Sequence, residues 1–339
     1  MTEGKPTMPV LYVTQPGAEV RKKGARLQVE WQGQLLATLP LRLIERLVLL
    51  GPVQLSAAAT QVLLQARIPV LFCNMRGNCY GVLTVGYGDS ELLLAQVERY
   101  RDETYRLSIA RAIVSTKITH QQRLLRRHAR NHPNPVITQV ADQIEQILAT
   151  LPNRSSVSEV MGVEGQASAL YFSAFGHCLR QSGITFTERN RRPPRDPVNA
   201  VLSLGYMLVL SEVLSTVMAQ GLHPGLGFLH EVSNRHPALA LDLQELARQP
   251  IVDRLTLSLF NRGVLTKDDF LTQPNGGVRL KEQSLKRFLL FYERAMTTPF
   301  RYGRDGKIGT LRDWIKEQAQ SLKKAILSGE TWLPEVLEL

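Results

Sequence analysis

Residues 26–31 read Arg-Leu-Gln-Val-Glu-Trp and alternate polar and apolar side chains without a break. Because successive side chains of a strand point to opposite faces, this period of two predicts a half-buried β-strand. Gln32-Gly33 then supplies a turn, and a second apolar run follows at residues 35–39. This part of the chain is therefore predicted to be a β domain.

The segments on either side of this stretch extend the domain. Ser56 is a suitable N-cap for a helix through Ala66, the one clear helix in the region. We predict a small β-rich domain over residues 1–90, in which dimerisation is expected. Further short apolar runs that predict strands occur at residues 10–13, 46–50, 70–73 and 80–84.

From about Glu91 the apolar residues recur with a period of 3.6 instead of two. This pattern predicts one long helix to about Arg130, ended by the two prolines of residues 131–135. The fold class is thus α+β, with an all-α-helical domain over residues 91–339. Later helices are predicted at 137–150, 156–182, 197–220, 238–248, 252–262, 281–296 and 310–327.

The bulk composition limits the function classes. With 44% hydrophobic and 21% charged residues, the 339-residue chain is typical of a soluble globular protein. A net charge of +11 favours a polyanionic partner, either nucleic acid or an anionic membrane face. Residues 197–211 are the most apolar stretch, but they fall short of the roughly 20 residues of a membrane span. We expect a buried helix there and no membrane partner.

Three cysteines without a C-x-x-C pair argue against a disulfide framework and against a structural zinc site. A cytoplasmic location is expected. Basic residues cluster in two runs, each of which is either a solvated face or a track for the DNA backbone. The first run lacks any acid between Glu103 and Asp142, and the second spans residues 180–195.

Three segments carry carboxylate or imidazole groups that could do chemistry. Glu164 lies at the edge of an apolar helix stripe, where a carboxylate requires a cation or donor, although a salt bridge at the rim would also satisfy it. His230 ends a glycine-rich loop that begins at Gly225. Asp242 and Glu245 share one helix face, where a divalent cation or an arginine would relieve their repulsion. An ordinary acidic surface remains the alternative.

Together these segments offer one imidazole and two or three carboxylates, a ligand set that suits Mg²⁺ or Mn²⁺. Such a metal would neutralise a scissile phosphate and activate a water or a 3′-hydroxyl. Tyr171 lies two turns beyond Glu164 on the same side of its helix. Asn199 and Tyr206 share a face of the apolar helix that Asp196 and Pro197 are expected to begin. These three polar groups either satisfy buried backbone or support the metal site.

Four motifs in order resemble the CRISPR-associated Cas1 family over roughly residues 9–325. They read M-G-V-E-G-Q-A-S-A-L-Y-F, P-P-R-D-P-V-N-A-V-L-S-L-G-Y, G-L-G-F-L-H-E and L-D-L-Q-E-L-A-R-Q-P-I-V-D-R. The resemblance implies a metal site of Glu164, His230 and Glu245, with Asp242 alongside. It also implies a homodimer that works with the small protein Cas2, which bridges two dimers.

The activity implied is that of a metal-dependent DNA endonuclease and integrase of spacer acquisition. The 3′-hydroxyl of a short foreign DNA would attack a phosphodiester at the edge of a CRISPR repeat. The alternatives are another metal-dependent nuclease acting on branched DNA or RNA, and a non-catalytic nucleic-acid-binding protein. The arginines expected to contact DNA are Arg191, Arg192, Arg195, Arg248 and Arg254.

Overall fold

The computed structural model describes residues 10–75, 77–84, 89–234, 236–303 and 305–338. The chain forms two compact units, Met1–Tyr87 and Gly88–Leu339. The first is rich in strands and the second is largely helical, so the chain has the predicted mixed α+β character.

The first unit contains two four-stranded sheets, with strand orders β1-β5-β7-β8 and β4-β3-β2-β6. In the first sheet β1, β5 and β7 are parallel and β8 is antiparallel. In the second, β3 pairs antiparallel with both β2 and β4, whereas β6 pairs parallel with β2. The elements are β1 (Val10–Val13), β2 (Glu19–Lys23), β3 (Arg26–Trp31), β4 (Gln34–Pro40), β5 (Arg46–Leu50), β6 (Gln54–Leu55), α1 (Ala57–Gln65), β7 (Val70–Cys73) and β8 (Cys79–Leu83).

The alternating stretch at residues 26–31 is a central strand, β3, as predicted. Leu27 and Val29 point into the core, where they are almost completely buried. Ser56 also caps α1 as predicted, because its Oγ accepts a hydrogen bond from the Ala59 amide at 3.2 Å. Strand β2 was not predicted, because three of its five residues are exposed and charged. The single apolar residue, Val20, does not produce an alternating pattern.

The second unit contains nine α-helices and four short strands within its described residues. They are α2 (Ser90–Arg101), α3 (Glu103–Asn131), α4 (Pro135–Ala149), α5 (Val157–Phe175), α6 (Pro197–Ala219), α7 (Ala238–Ala247), α8 (Arg254–Asn261), β9 (Phe270–Thr272), β10 (Val278–Leu280), α9 (Glu282–Thr297), β11 (Phe300–Tyr302), β12 (Lys307–Gly309) and α10 (Leu311–Ser328).

Two expectations for this unit were wrong. The single long helix to Arg130 is broken at Asp102, whose backbone is extended and whose carboxylate accepts from the Tyr105 amide at 3.0 Å, so that it caps α3. The unit is also not all α-helical, because β9–β10 and β11–β12 form antiparallel hairpins. Strands of three residues are too short to show a hydrophobic period.

Helix α6 is longer than the apolar stretch suggested. Asp196 caps it through the Asn199 amide at 2.8 Å, and Pro197 occupies the first turn, as predicted. With 23 residues it is long and apolar enough to cross a membrane by length and composition alone. Most of it is buried inside the unit, however, which is typical of the core helix of a soluble protein.

Helices α7 and α8 are joined without a gap by a π-helical segment, Arg248–Asp253. The sequence predicted two separate helices, at 238–248 and 252–262, and Pro250 lies between them. A proline has no amide hydrogen and displaces the carbonyl four residues earlier, and the wider π turn accommodates both effects. The segment is almost fully buried, and such turns are frequent at functional sites.

Candidate active site

The centre of the site is an ammonium group held by two carboxylates. Lys117 of α3 pairs with Glu164 of α5, and its Nζ lies 2.5 Å from Oε2 of Glu245 on α7. The Lys117 and Glu245 side chains are each only 4% exposed, whereas Glu164 remains 25% exposed. Two of the predicted ligands, Glu164 and Glu245, are therefore brought together, and the Lys117 ammonium lies between them.

Glu245 carries a firm negative charge in spite of its burial. Burial alone would raise its pKa, but the charges of Arg248 and Lys117 more than offset this and hold the pKa at about 2. Arg248 lies three residues further along and contacts the other carboxylate oxygen at 3.0 Å. Within the described residues, Oε2 of Glu245 faces the Lys117 ammonium and accepts no further hydrogen bond.

Asp242 fixes the position of His230 and of the loop that leads to it. The completely buried Asp242 accepts hydrogen bonds from the amides of Phe228, Leu229 and His230 at 2.5, 3.0 and 2.9 Å. The same carboxylate lies 2.8 Å from Nδ1 of His230. Nδ1 therefore carries a proton, and when the ring is neutral Nε2 is the nitrogen with the lone pair, as in metal-binding histidines.

Electrostatics at His230 favour the charged ring. Burial lowers its pKa, but the hydrogen bond to Asp242 and the negative charges of Asp242 and Glu245 outweigh burial and raise it above the ordinary value. Gly227 allows the loop to approach this closely. A Cβ there would lie 2.7 Å from the Ala238 backbone and 2.9 Å from an Asp242 oxygen.

The two predicted supporting tyrosines converge on a residue that the sequence did not single out. Tyr171 and Tyr206 donate to the two oxygens of Asp253 at 2.9 and 2.5 Å. All three side chains are buried, and burial raises the pKa of Asp253 to about 6 although both tyrosines lower it. The ring of Tyr206 also lies under Arg248, whose guanidinium is 5.0 Å from the ring centroid. Tyr206 is therefore linked to the site through Arg248, whereas the hydrogen-bond partner of Tyr171 is Asp253.

Asn199 satisfies buried backbone groups, which is one of the two alternatives that the sequence left open. Its amide donates to the Glu188 carbonyl at 2.8 Å and accepts from Arg189 at 2.7 Å. It therefore organises the loop before α6. Arg189 in turn lies over Tyr206, 5.3 Å from the ring centroid, so that Asn199 is linked to the site by one intermediate side chain.

A polar pocket of about 550 Å³ adjoins the carboxylates. Arg189, Arg191 and Arg248 line it together with Lys117 and Glu164. The pocket therefore combines four basic groups with two carboxylates, since Glu188 lines it as well. This excess of positive charge suits the phosphate groups of a nucleic acid.

The predicted DNA-contacting arginines separate into two groups. Arg191 and Arg248 line the pocket, and Arg248 is largely buried by Glu245 and Tyr206. Arg192, Arg195 and Arg254 are exposed outside the pocket. Several arginines of the first basic run donate hydrogen bonds within the chain. Arg106, Arg111 and Arg123 donate to the carbonyls of Phe228, Arg154 and Leu337, and Arg126 donates to the Asp142 carboxylate.

The donors fit a hard divalent cation, although they are not gathered around one point. Glu164 and Glu245 share the Lys117 ammonium, and Asp242 orients the His230 ring through Nδ1. Carboxylate oxygens and an imidazole nitrogen are donors that a divalent cation accepts. Among the residues that the structure describes, no three His, Cys, Asp or Glu side chains lie close enough together to hold a metal ion. Lys117 takes the position between Glu164 and Glu245.

Lys117 and Asp253 are the functional residues that the sequence analysis missed. Lys117 was counted in a basic run, yet it continues the apolar stripe of α3 at the spacing of Ile109 and Ile113. A lysine in such a stripe must have a buried partner, and that signal could have identified it. Asp253 ends the π-helical segment that contains Pro250, so the direction in which its side chain points depends on the π turn.

Comparisons with known proteins identify the family to which the chain is similar. A model of the family described as CRISPR associated protein Cas1 matches residues 11–294. A CRISPR-associated endonuclease Cas1 from Thermus thermophilus is 36% identical over 327 residues, which are 96% of this chain and 98% of the relative.

Solved structures show the same fold. A Cas1 protein from Thermotoga maritima superposes with a TM-score of 0.82 at 26% identity, covering 96% of this chain and 99% of the other. A chain of a Cas6-RT-Cas1–Cas2 complex has a TM-score of 0.80 at 25% identity, covering 99% of this chain and 37% of that one. The chain therefore belongs to the CRISPR-associated Cas1 family of endonucleases and integrases, as its motifs predicted.

Proposed function

We propose that the chain inserts short foreign DNA into a CRISPR repeat by transesterification, using Mg²⁺ or Mn²⁺ held by Glu164, His230 and Glu245. The observation that supports this best is the convergence of two carboxylates from α5 and α7 on one cation, beside an imidazole oriented by Asp242. When bound, the metal would neutralise the scissile phosphate and favour the deprotonated 3′-hydroxyl.

The chain's own residues have separate tasks in this reaction. Asp242 keeps the His230 ring in one tautomer and one orientation. Arg248 keeps Glu245 ionised, and the Tyr206 ring and Asp253 hold Arg248 in place. Arg189 and Arg191 line the pocket in which a DNA phosphate would be accepted.

The proposed partners and the proposed location are based on the family and on the net charge. We propose a homodimer that binds DNA and assembles with Cas2 in the cytoplasm, with dimerisation through the first unit. The similarity to a chain of the Cas6-RT-Cas1–Cas2 complex supports the proposal of a Cas2 partner. The net charge of +11 supports DNA binding, and the absence of a disulfide at Cys73, Cys79 and Cys178 is consistent with a reducing compartment.

The test uses a branched half-site DNA with Mn²⁺, an EDTA control and two variants of α5. Glu164→Ala removes a proposed ligand, whereas Glu159→Ala removes an exposed glutamate from the first turn of the same helix. Strand transfer or cleavage by the wild type and Glu159→Ala, lost in Glu164→Ala and in EDTA, is the expected result. If every sample binds the DNA and none changes it, the chain is a binding protein and the catalytic proposal fails.

A further inference from the structure

The Lys117 ammonium is a buried positive charge that lies between two carboxylates. Its side chain is 4% exposed, and it contacts both carboxylates that the proposed function assigns to the metal. A buried ammonium is costly unless it is paired, and here one group neutralises two acids from two different helices. Lys117 thus supplies in the metal-free chain the positive charge that a divalent cation would supply.

We propose that Lys117 is an internal competitor of the metal, which holds the site together without metal and must withdraw from between Glu164 and Glu245 when a divalent cation binds. This inference rests on the proposed function. It makes Lys117 a positioning residue that sets the metal concentration at which the site becomes loaded.

Competition follows from the geometry of the oxygens. Oε1 of Glu245 is held by Arg248 at 3.0 Å, so Oε2 is the oxygen left for a second cation. That oxygen faces the Lys117 ammonium at 2.5 Å. Oε1 of Glu164 accepts both from Lys117 and from Ser168, the latter at 2.8 Å. A metal bound by both glutamates therefore needs the position that the ammonium now fills.

A displaced ammonium has somewhere to go. Gln121 lies one turn further along α3 on the same face, and its Oε1 is buried without a hydrogen-bond partner in the described part of the chain. Its amide nitrogen is fixed by donation to Ser168 at 3.1 Å, which leaves Oε1 as an acceptor. Lys117 also lines the 550 Å³ pocket, where a DNA phosphate would offer a second partner.

The experiment compares Mn²⁺ binding by the full-length wild type, Lys117→Met and a matched Lys323→Met control, by calorimetry and by electron paramagnetic resonance of free Mn²⁺. Lys323 lies on α10, donates to the Gln220 carbonyl at 3.0 Å and pairs with Asp89 at 3.7 Å, so it does not contact Glu164 or Glu245. We expect Lys117→Met to bind Mn²⁺ at least about tenfold more tightly, or ~1.4 kcal/mol. Lys323→Met should bind like the wild type.

Thermal unfolding supplies a second readout that a purely structural lysine would not produce. Lys117→Met should have a lower Tm than the wild type in EDTA and should regain it with Mn²⁺, because the metal replaces the lost charge. If the variant folds only with Mn²⁺, the proposal is supported. If Mn²⁺ fails to rescue it, or if the folded variant binds Mn²⁺ no more tightly than the wild type, the proposal is overturned.

Glu164→Gln separates this failure from that of the proposed function. If Glu164→Gln binds Mn²⁺ as well as the wild type, the metal does not use this site and the proposed function itself fails. If Glu164→Gln loses binding while Lys117→Met is unchanged, the metal site stands and the competition is refuted.

Discussion

Replacing Asp242 by asparagine should destabilise the protein more than its small change in shape suggests. Each oxygen of the buried carboxylate serves two donors. Oδ2 accepts the Phe228 and Leu229 amides, and Oδ1 accepts the amide and Nδ1 of His230. An asparagine has one oxygen and one NH₂ group, so in either orientation a donor faces two donors.

The magnitude follows from the two hydrogen bonds that no orientation can keep. A hydrogen bond to a charged group contributes about 1.5–3 kcal/mol, and the two are lost together with their acceptor. Allowing for some relaxation of the loop, we expect a decrease of about 3–5 kcal/mol in the free energy of unfolding, the range seen when one partner of a buried charged pair is removed. Metal affinity should fall about 10–100-fold, as for other residues that orient a ligand.

Urea unfolding at pH 7 in EDTA measures the effect without any contribution from metal. The control is Asp142→Asn, because Asp142 is exposed and pairs with Arg126 at 3.3 Å on the surface. That control should lie within about 0.5 kcal/mol of the wild type. A value for Asp242→Asn within about 1 kcal/mol of the wild type would refute the argument that the carboxylate organises the loop.

Three further predictions concern residues that position the site. Burial lowers the pKa of His120 to about 3, below its unfolded value of about 6.5, so its stabilising effect is complete above that value and is lost as the pH falls towards 3. His120→Gln keeps a donor and an acceptor and should reduce the acid sensitivity of urea unfolding between pH 6.5 and 4. Gly227→Ala should cost about 1–3 kcal/mol in the same assay, because the new Cβ would meet the Ala238 backbone at 2.7 Å. Tyr206→Phe removes a hydrogen bond to buried Asp253 and should lower stability by about 1.5–3 kcal/mol, whereas exposed Tyr80→Phe should not.

Long periodic segments made the helices of the second unit predictable. The bounds predicted for α6 and α10 differ from the observed ones by one residue at most, because capping groups coincide with the start of the apolar pattern. The break at Asp102 was missed, since the apolar pattern continues on both sides and only the local cap reveals it. The hairpins β9–β10 and β11–β12 are held by neighbouring elements and leave no period in three residues.

The ligand candidates were predictable from motifs, but their mutual arrangement was not. A carboxylate beside an apolar stripe indicates a buried partner, and this reasoning selected Glu164 correctly as a paired acid. It could not show that the partner is Lys117, which lies 47 residues earlier on another helix. The sequence also left two alternatives open for Asn199, because its partners Glu188 and Arg189 lie in a loop without any periodic pattern.

Pro250 explains why helix α3 carries two unusual polar residues opposite the end of α7. Pro250 cannot donate to the carbonyl of Leu246, four residues earlier, and a buried carbonyl without a donor is costly. Nδ1 of His120 lies 3.0 Å from that oxygen, and since Nε2 accepts the Leu337 amide at 2.9 Å, Nδ1 must carry the proton. Lys117, three residues before His120 on the same face, neutralises Glu245, the neighbour of Leu246. One face of α3 therefore satisfies both the carbonyl that the proline leaves without a donor and the acid beside it, so the π turn and the position of Glu245 are stabilised together.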